Sequence, residues 1–301
     1  MMHNTGSRGH PSTGTAWKKK VRPLFFILPT LIVLVVVSIF PLIYALRVSF
    51  IRFNLLMPHL TGFIGFSNYI NAVTNDVFPF ALKNTAIIMS ISVVQFLFGF
   101  GVALLLNAEV RGTQIFRTIV IPPMLVAPIV VGLMWRYMYS AEMGIINYMV
   151  STLGISPPDW LGSPRFALVS IVIADTWQWT PFMILVLLAG LQSIPVEPQE
   201  AAMIDGASAF QRIIHVTLPM LKPVILVVFL IRIMDLLKIF DKIWIMTRGG
   251  PGAYSEVLSL FAYRMVFKFY DVGQGSAVSF MILIIVIVIS TGLARVLKEA
   301  R

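Results

Sequence analysis

The sequence predicts an all-α integral membrane protein with six transmembrane helices, and two observations carry this prediction. Of the 301 residues, 58% are hydrophobic and only 12% are charged, whereas a soluble domain carries roughly 25% charged residues. Six apolar stretches are also long enough to cross a hydrocarbon core of roughly 30 Å, which needs about 20 helical residues. Because lipid offers no partners to backbone N–H and C=O groups, each stretch is predicted to be helical. The six stretches are residues 24–46, 80–107, 117–138, 166–191, 222–246 and 275–295.

The first 22 residues form a polar, basic segment ahead of the first apolar stretch. Its basic residues are Arg8, Lys18, Lys19, Lys20 and Arg22. We therefore divide the chain into a disordered basic cytoplasmic tail, residues 1–22, and a membrane domain, residues 23–301. The net charge of +10 could indicate nucleic-acid binding, but basic residues clustered beside a span indicate a cytoplasmic anchor instead. An even number of spans then places both termini on the cytoplasmic side.

Patterns typical of catalytic or nucleotide-binding sites are absent from the chain. There is no cysteine, which excludes thiolate nucleophiles and cysteine metal sites. The phosphate-binding pattern Gly-x4-Gly-Lys-Ser/Thr does not occur, and neither does His-Glu-x-x-His or Gly-x-Ser-x-Gly. The four histidines are scattered along the chain. The chain is therefore predicted not to be an enzyme and to hold no metal ion or cofactor of its own.

The connection at residues 192–221 is the one predicted cytoplasmic loop with helical signals of its own. A first short helix is expected to end at Gly206, since glycine adopts the left-handed conformation at a helix end without penalty. Ser208 and Gln211 have the spacing of a capping box for a second helix, which is expected to break at Leu218–Pro219. Such a pair of helices could rest on lipid headgroups or contact a partner protein, and the physical signals alone leave both interpretations open.

The loop resembles the signature loop of the permease subunits of binding-protein-dependent ABC importers. The residues that carry the resemblance are Glu200, Ala201, Ala202, Asp205, Gly206, Ala207, Leu218 and Pro219. The same resemblance extends upstream through Trp177-Gln178-Trp179 and Pro181-Phe182. Downstream, Phe240-Asp241, Thr247 and Gly249-Gly250-Pro251 are similar to the carbohydrate-uptake branch of the family, which takes up maltose, other sugars and polyols.

The resemblance implies the fold of a type I ABC importer permease in the cytoplasmic (inner) membrane of a bacterium. Loop 192–221 would dock as a coupling helix on an ATPase subunit, with Glu200 contacting its groove and Gly206 setting the bend. The implied partners are a second homologous permease subunit, two copies of a P-loop ATPase and an extracytoplasmic substrate-binding protein. ATP and Mg would bind to the ATPase, so hydrolysis is expected on that partner chain.

Polar side chains within the predicted spans are candidates for a substrate path, because charged groups in lipid are costly and usually face the bundle interior. On the fourth span, Asp175, Gln178 and Trp179 share a helix face, whereas Trp177 lies about 200° around the helix from Trp179. Aromatic platforms with hydrogen-bonding neighbours suit sugars, although tryptophan is also typical of membrane interfaces. The candidates are Asp175, Trp177, Gln178, Trp179, Arg232, Asp235, Lys238 and Asn84.

The charges of the fifth span allow two interpretations. Arg232, Asp235, Lys238 and Asp241 alternate in sign at steps of three, so they could form a charge ladder that holds the bundle together, either along one helix or between subunits. Alternatively, some of these side chains contact the substrate directly. The basic residues would suit an anionic sugar, but their acidic neighbours account for them equally well, so the sequence leaves the charge of the substrate open.

An ion-coupled secondary transporter is the alternative function. Such a transporter needs carboxylates in several spans and usually contains an inverted repeat. Here acidic residues occur in only two of the predicted spans, and no convincing repeat is found. We therefore expect the transmembrane subunit of an ATP-driven importer, which forms the translocation path for a carbohydrate delivered by the binding protein.

Overall fold

A computed structural model of the chain describes residues 27–108 and 118–299. The chain divides into two compact units, Met1–Val48 and Ser49–Arg301, and the predicted tail 1–22 lies outside the described residues. The helices are α1 (Ile27–Ser49), α2 (Ser67–Val73), α3 (Phe78–Asn107), α4 (Thr118–Leu125), α5 (Pro128–Met138), α6 (Ile145–Thr152), α7 (Ala167–Gln192), α8 (Glu197–Ile204), α9 (Ala209–Leu237), α10 (Asp241–Met246), α11 (Leu258–Phe267) and α12 (Val272–Glu299).

The first unit is described as a single apolar helix, α1, which is long enough to cross a membrane. One π-helical turn, Val35–Ile39, interrupts its regular hydrogen bonding. It agrees with the first predicted span, residues 24–46.

The second unit begins with a small antiparallel hairpin, β1 (Ile51–Arg52) and β2 (Gly62–Phe63), which pairs Ile51 with Phe63. The short helix α2 holds this hairpin in place. The Asn68 side-chain amide donates to the carbonyl oxygens of Ser49 (2.8 Å) and Ile51 (2.9 Å). Because Asn68 is buried, these bonds satisfy an amide that would otherwise be costly to remove from water.

Five helices, α1, α3, α7, α9 and α12, are each long and apolar enough to span a membrane. The third predicted span, residues 117–138, is instead divided into α4 and α5, which meet at an angle of 106°. Pro128 begins α5, and the two residues before it are extended, with ψ of 134° at Val126 and 137° at Ala127. The helical region is sterically disfavoured for a residue before proline, which agrees with the extended backbone of Ala127 at the bend.

The fifth predicted span, residues 222–246, differs at both ends. Helix α9 begins at Ala209 inside the predicted loop and ends at Leu237, and α10 starts separately at Asp241. The predicted break at Leu218–Pro219 is therefore wrong. A π-helical turn, Ile213–Thr217, precedes Pro219. In it the Leu218 N–H donates to the Ile213 carbonyl, and this shift in the hydrogen-bond register accommodates a proline that has no N–H.

Helix α7 is the most buried of the five long helices. More than half of its apolar window is buried, against a third or less for the others. Two glycines allow neighbours to approach it closely: a Cβ on Gly99 of α3 would lie 3.0 Å from Met183 Cβ, and one on Gly190 would lie 2.7 Å from Leu221 Cδ1. Small residues permit such contacts between membrane helices. The polar side chains of α7 consequently lie within reach of both α3 and α9.

Candidate functional site

A buried charge cluster formed by Asp175, Arg232 and Lys242 lies between α7, α9 and α10. Arg232 Nη2 donates to Asp175 Oδ2 at 2.6 Å, and Lys242 Nζ donates to the other carboxylate oxygen, Oδ1. The three residues are 2%, 1% and 3% exposed, respectively. One carboxylate therefore holds two cations from different elements in a buried site.

Two glutamines complete this cluster. Gln95 of α3 donates to Asp175 Oδ2 (2.8 Å) and accepts from Arg232 Nε (3.2 Å). Gln178 of α7 accepts from Lys242 Nζ (2.9 Å) and donates to the Val126 carbonyl (2.7 Å). The Val126 carbonyl belongs to the bend between α4 and α5, where regular helical bonding stops. The network thus joins the bent span to α3, α7, α9 and α10.

The predicted pairing of Arg232 with a neighbour on its own helix is wrong in this structure. Arg232 makes its ion pair with Asp175 on α7 rather than with Asp235, its neighbour at three residues. Lys238 follows the last residue of α9, and Asp241 begins α10. A fully buried guanidinium requires a close, hydrogen-bonded counter-charge, and Asp175 supplies it, whereas Asp235 is only half-buried.

A cavity of about 240 Å³ adjoins the charge cluster. It brings together five of the eight predicted path residues, and its lining is Pro128, Asp175, Trp179, Arg232, Asp235, Leu236, Lys238, Ile239, Phe240, Asp241 and Lys242. The Arg232 guanidinium lies over the Trp179 ring, 5.0 Å from its centroid. The cavity wall therefore combines two aromatic rings, Trp179 and Phe240, with charged groups at several depths.

The structure places three predicted path residues outside the lining of this cavity. Trp177 packs edge-on against Trp135, with ring centroids 6.0 Å apart, and lines a separate apolar cavity between α3, α4 and α7. Gln178 does not line the cavity; it accepts a hydrogen bond from Lys242, which does. Asn84 donates to the carbonyls of Ala253 (3.2 Å) and Glu256 (2.9 Å), so it anchors the connection between α10 and α11.

Lys242 is a residue of the charge cluster that sequence reasoning missed. It lies between Asp241 and Ile243 in the predicted fifth span, and a lysine in such an apolar stretch was a usable signal of a buried partner. Because residues 222–246 were predicted to form one straight helix, only charges spaced three residues apart were considered as partners. The break at residues 238–240 turns Lys242 toward α7 instead.

The connection between α10 and α11 contains a second buried acid, Glu256, which is 1% exposed. Arg264 Nη2 lies 3.0 Å from its Oε2 atom. Burial raises the pKa of Glu256 to about 7, although the nearby Arg264 charge lowers it in part. Asn84 and Thr85 of α3 bind the backbone of the same segment, the latter through the Leu258 N–H (3.1 Å).

Two of the predicted signals of the loop at 192–221, the glycine after the first helix and the capping box, are present in the structure. Gly206 follows α8 with a φ of +78°. Ser208 and Gln211 form the capping box: Gln211 N donates to Ser208 Oγ (3.3 Å), and Ser208 N donates to Gln211 Oε1 (2.8 Å). The definite angle between α8 and α9 is therefore set by local backbone chemistry.

The surface of this loop is exposed and partly apolar. Ile204 is 87% exposed, and Met203 and Phe210 are also exposed, as are Glu200, Ala201 and Asp205. Ala202, Ala207 and Leu218 are half-buried, and Pro219 is exposed. Large apolar side chains exposed together beside acidic groups are typical of an interaction surface.

Metal-binding geometry is not found in the described parts of the chain. Within residues 27–108 and 118–299, no three His, Asp or Glu side chains are grouped so as to hold a metal ion. The charge cluster is likewise occupied by its own cations. Its chemistry is therefore that of hydrogen bonding and charge pairing.

Comparisons with known proteins agree with this arrangement. A family model described as the binding-protein-dependent transport system inner membrane component matches residues 95–299. The trehalose/maltose transport system permease protein MalF of Thermococcus litoralis is 40% identical over 262 residues, covering 87% of this chain and 88% of that protein. These matches lend no support to the ion-coupled alternative.

Solved structures give the same result. A chain of a bacterial ABC transporter involved in the import of the acidic polysaccharide alginate matches with a TM-score of 0.77 and 26% identity, covering 95% of this chain and 99% of that chain. A chain of the bacterial alginate ABC transporter in complex with an alginate pentasaccharide-bound periplasmic protein matches with a TM-score of 0.75 and 25% identity, covering 92% and 95%. The predicted all-α permease fold is thereby confirmed. Because the family model covers more than half of its length, the chain belongs to the binding-protein-dependent transport system inner membrane components, the permease subunits of ABC importers.

Proposed function

We propose that this permease forms one wall of the translocation path for a carbohydrate, and that the cavity beside Trp179 contacts the solute. The observation that carries the proposal is the combination of Trp179 and Phe240 rings with accessible polar groups in one cavity. An aromatic ring offers its apolar face to a pyranose, and charged side chains at its edge bond the hydroxyl groups. The names of the trehalose/maltose and alginate relatives support the same class of substrate.

The loop at 192–221 is the proposed contact with a P-loop ATPase. Its exposed apolar side chains Ile204 and Phe210 would be covered there, with Glu200 as a charged contact. Helix α8 is joined through the Gly206 bend and the capping box to α9, which carries Arg232. Movement of the loop is thereby transmitted to the charge cluster through a continuous helix.

The proposed complex contains a second homologous permease, two ATPase copies that bind ATP and Mg, and an extracytoplasmic binding protein. The solved alginate transporter in complex with a substrate-bound periplasmic protein supports the last of these. Both termini and the loop at 192–221 are proposed to lie on the cytoplasmic side of the inner membrane. ATP binding would then turn the cavity outward, and hydrolysis would return it.

Uptake measurements on a matched pair of tryptophan variants test the proposed path. Trp179→Leu removes a ring of the cavity, whereas Trp177→Leu removes a ring of the same helix that lies in the apolar cavity between α3, α4 and α7. With radiolabelled trehalose or maltose and the reconstituted importer, Trp179→Leu should reduce uptake about tenfold or more, since one aromatic contact is worth about 1.4 kcal/mol. Trp177→Leu should retain most of it. Equal uptake by both variants would remove the cavity from the path.

A further inference from the structure

The charged residues of the cavity wall fall into two sets that differ in burial. Asp175, Arg232 and Lys242 are at most 3% exposed, while Asp235 is half-buried and Lys238 and Asp241 are exposed. The buried set contains two cations and one anion. The accessible set contains one cation and two anions, so the six charges sum to zero.

The hydrogen bonds that hold the two buried cations are made to Asp175 and to two glutamines. Arg232 bonds Asp175 and Gln95 through Nη2 and Nε, and one guanidinium face covers Trp179. Lys242 donates to Asp175 and Gln178. An anionic solute would have to share either cation with Asp175, whose carboxylate already pairs with both, and bringing a second anion close to that carboxylate lowers affinity.

The accessible set determines what a solute meets first. Asp235 and Asp241 are hydrogen-bond acceptors, and Lys238 is a donor. Sugar hydroxyls can donate to the two carboxylates and accept from the ammonium group, so a neutral polyol satisfies all three. A carboxylate, sulfonate or phosphate would find a single accessible cation beside two acids, and like charges placed together in a confined site cost affinity.

From this distribution we propose that the cavity selects an uncharged, hydroxyl-rich solute and rejects sugars that carry an anionic group. The inference rests on the proposed function, because it concerns the same cavity. It differs from the chemistry named for the alginate transporter, whose substrate is an acidic polysaccharide. The selectivity comes from the accessible carboxylates of Asp235 and Asp241, together with Asp175, which already pairs with both buried cations.

Binding of two isosteric sugars to the importer tests the inference. Methyl α-D-glucopyranoside carries a hydroxymethyl group where methyl α-D-glucopyranosiduronate carries a carboxylate, and the two are otherwise identical. Their affinities are measured by saturation-transfer NMR on the purified importer complex in lipid nanodiscs, without the binding protein, whose own selectivity would otherwise contribute. We expect the neutral glycoside to bind at least about tenfold more tightly, which corresponds to about 1.4 kcal/mol.

Three variants identify the origin of the discrimination. The double variant Asp235→Asn with Asp241→Asn should bring the two affinities close together. Lys238→Gln removes the only cation of the accessible set and should widen the difference, which keeps the test valid if the double variant folds poorly. Asp76→Asn, an exposed acid of another loop, controls for general surface charge and should leave the ratio unchanged.

The possible results separate the inference from the proposed function. Equal or tighter binding of the uronate to the unchanged importer overturns the inference while leaving the cavity as a sugar site. If the double variant still prefers the neutral glycoside to the uronate, the inference is also overturned, because the two acids would not be the source of that preference. Binding of neither sugar to the unchanged importer overturns the proposed cavity and the inference together.

Discussion

Asp175 is a single carboxylate that pairs with two buried cations, so its loss has a different consequence from the loss of either cation. If Asp175 is removed, Arg232 and Lys242 remain close together without a counter-charge. If Lys242 is removed, Asp175 and Arg232 remain as a paired carboxylate and guanidinium, which still share two bonds with Gln95. The cluster should therefore depend on Asp175 far more than on Lys242.

The variants Asp175→Leu and Lys242→Met test this difference in stability. We expect Asp175→Leu to lower the free energy of unfolding by about 3–5 kcal/mol, because it leaves buried charges unpaired. Lys242→Met replaces a cation with an apolar chain of similar length and should cost clearly less. The measurement is the melting temperature of the purified chain in detergent, followed by tryptophan fluorescence. Equal losses from both variants would contradict the assigned pairing.

Glu256 gives a pH dependence whose sign follows from its surroundings. Burial raises its pKa from 4.5 to about 7, so in the folded state it retains a proton at pH values where the unfolded chain has lost it. The folded state is then favoured at low pH, and this contribution is fully present below about pH 4.5 and lost as the pH rises to about 7. Glu256→Gln should flatten the dependence of the melting temperature on pH over this interval. An unchanged slope in Glu256→Gln would exclude Glu256 as its source.

Among the elements, those determined by local chemistry were predictable and those determined by contacts between helices were not. The end of α8 at Gly206 and the Ser208–Gln211 capping box follow from neighbouring residues, and both were predicted. The pairing of Arg232 with Asp175 was not, because spacing along one helix says nothing about which other helix lies against it. The continuity of α9 through Pro219 depends on a π-helical turn, for which the sequence offered no signal.

The bend after α8 is the element most sensitive to a change of backbone conformation. Gly206 has a φ of +78° with open space where a Cβ would be placed, so an alanine there costs about 1–2 kcal/mol through conformation alone. A proline cannot adopt this φ, because its ring fixes φ near −65°. We expect Gly206→Ala to reduce the number of solute molecules transported per ATP hydrolysed, and Gly206→Pro to abolish transport while membrane insertion persists.

Gly154 provides the matched control for this prediction. It has a φ of +76° and equally open surroundings, but it follows α6, far along the chain from the loop at 192–221. Gly154→Ala should therefore introduce the same local strain without changing the ratio of transport to hydrolysis. Normal uptake in Gly206→Pro would show that this bend does not carry the coupling.

At the scale of the whole molecule, a rigid interior is joined to an exposed contact surface. The charge cluster connects α3, α7, α9, α10 and the bend between α4 and α5 by buried hydrogen bonds, so these elements should move together. Helix α9 extends from this interior to Ala209, which lies within the loop at 192–221. A force applied to α8 thus reaches the cavity without passing through a flexible linker.

This organisation predicts that the contact surface can be destroyed without disturbing the interior. Ile204 is 87% exposed, so Ile204→Asp removes no packing within the chain and should leave its melting temperature unchanged. If the ATPase covers this position, the new carboxylate would be buried in the contact, which is energetically costly. The ATPase should then no longer co-purify with the chain. Met143→Asp is the control, since Met143 is 80% exposed in the connection between α5 and α6, on the opposite predicted side of the membrane. Retention of the ATPase by both variants, measured by quantitative mass spectrometry of the tagged complex, would place the ATPase contact elsewhere on the chain.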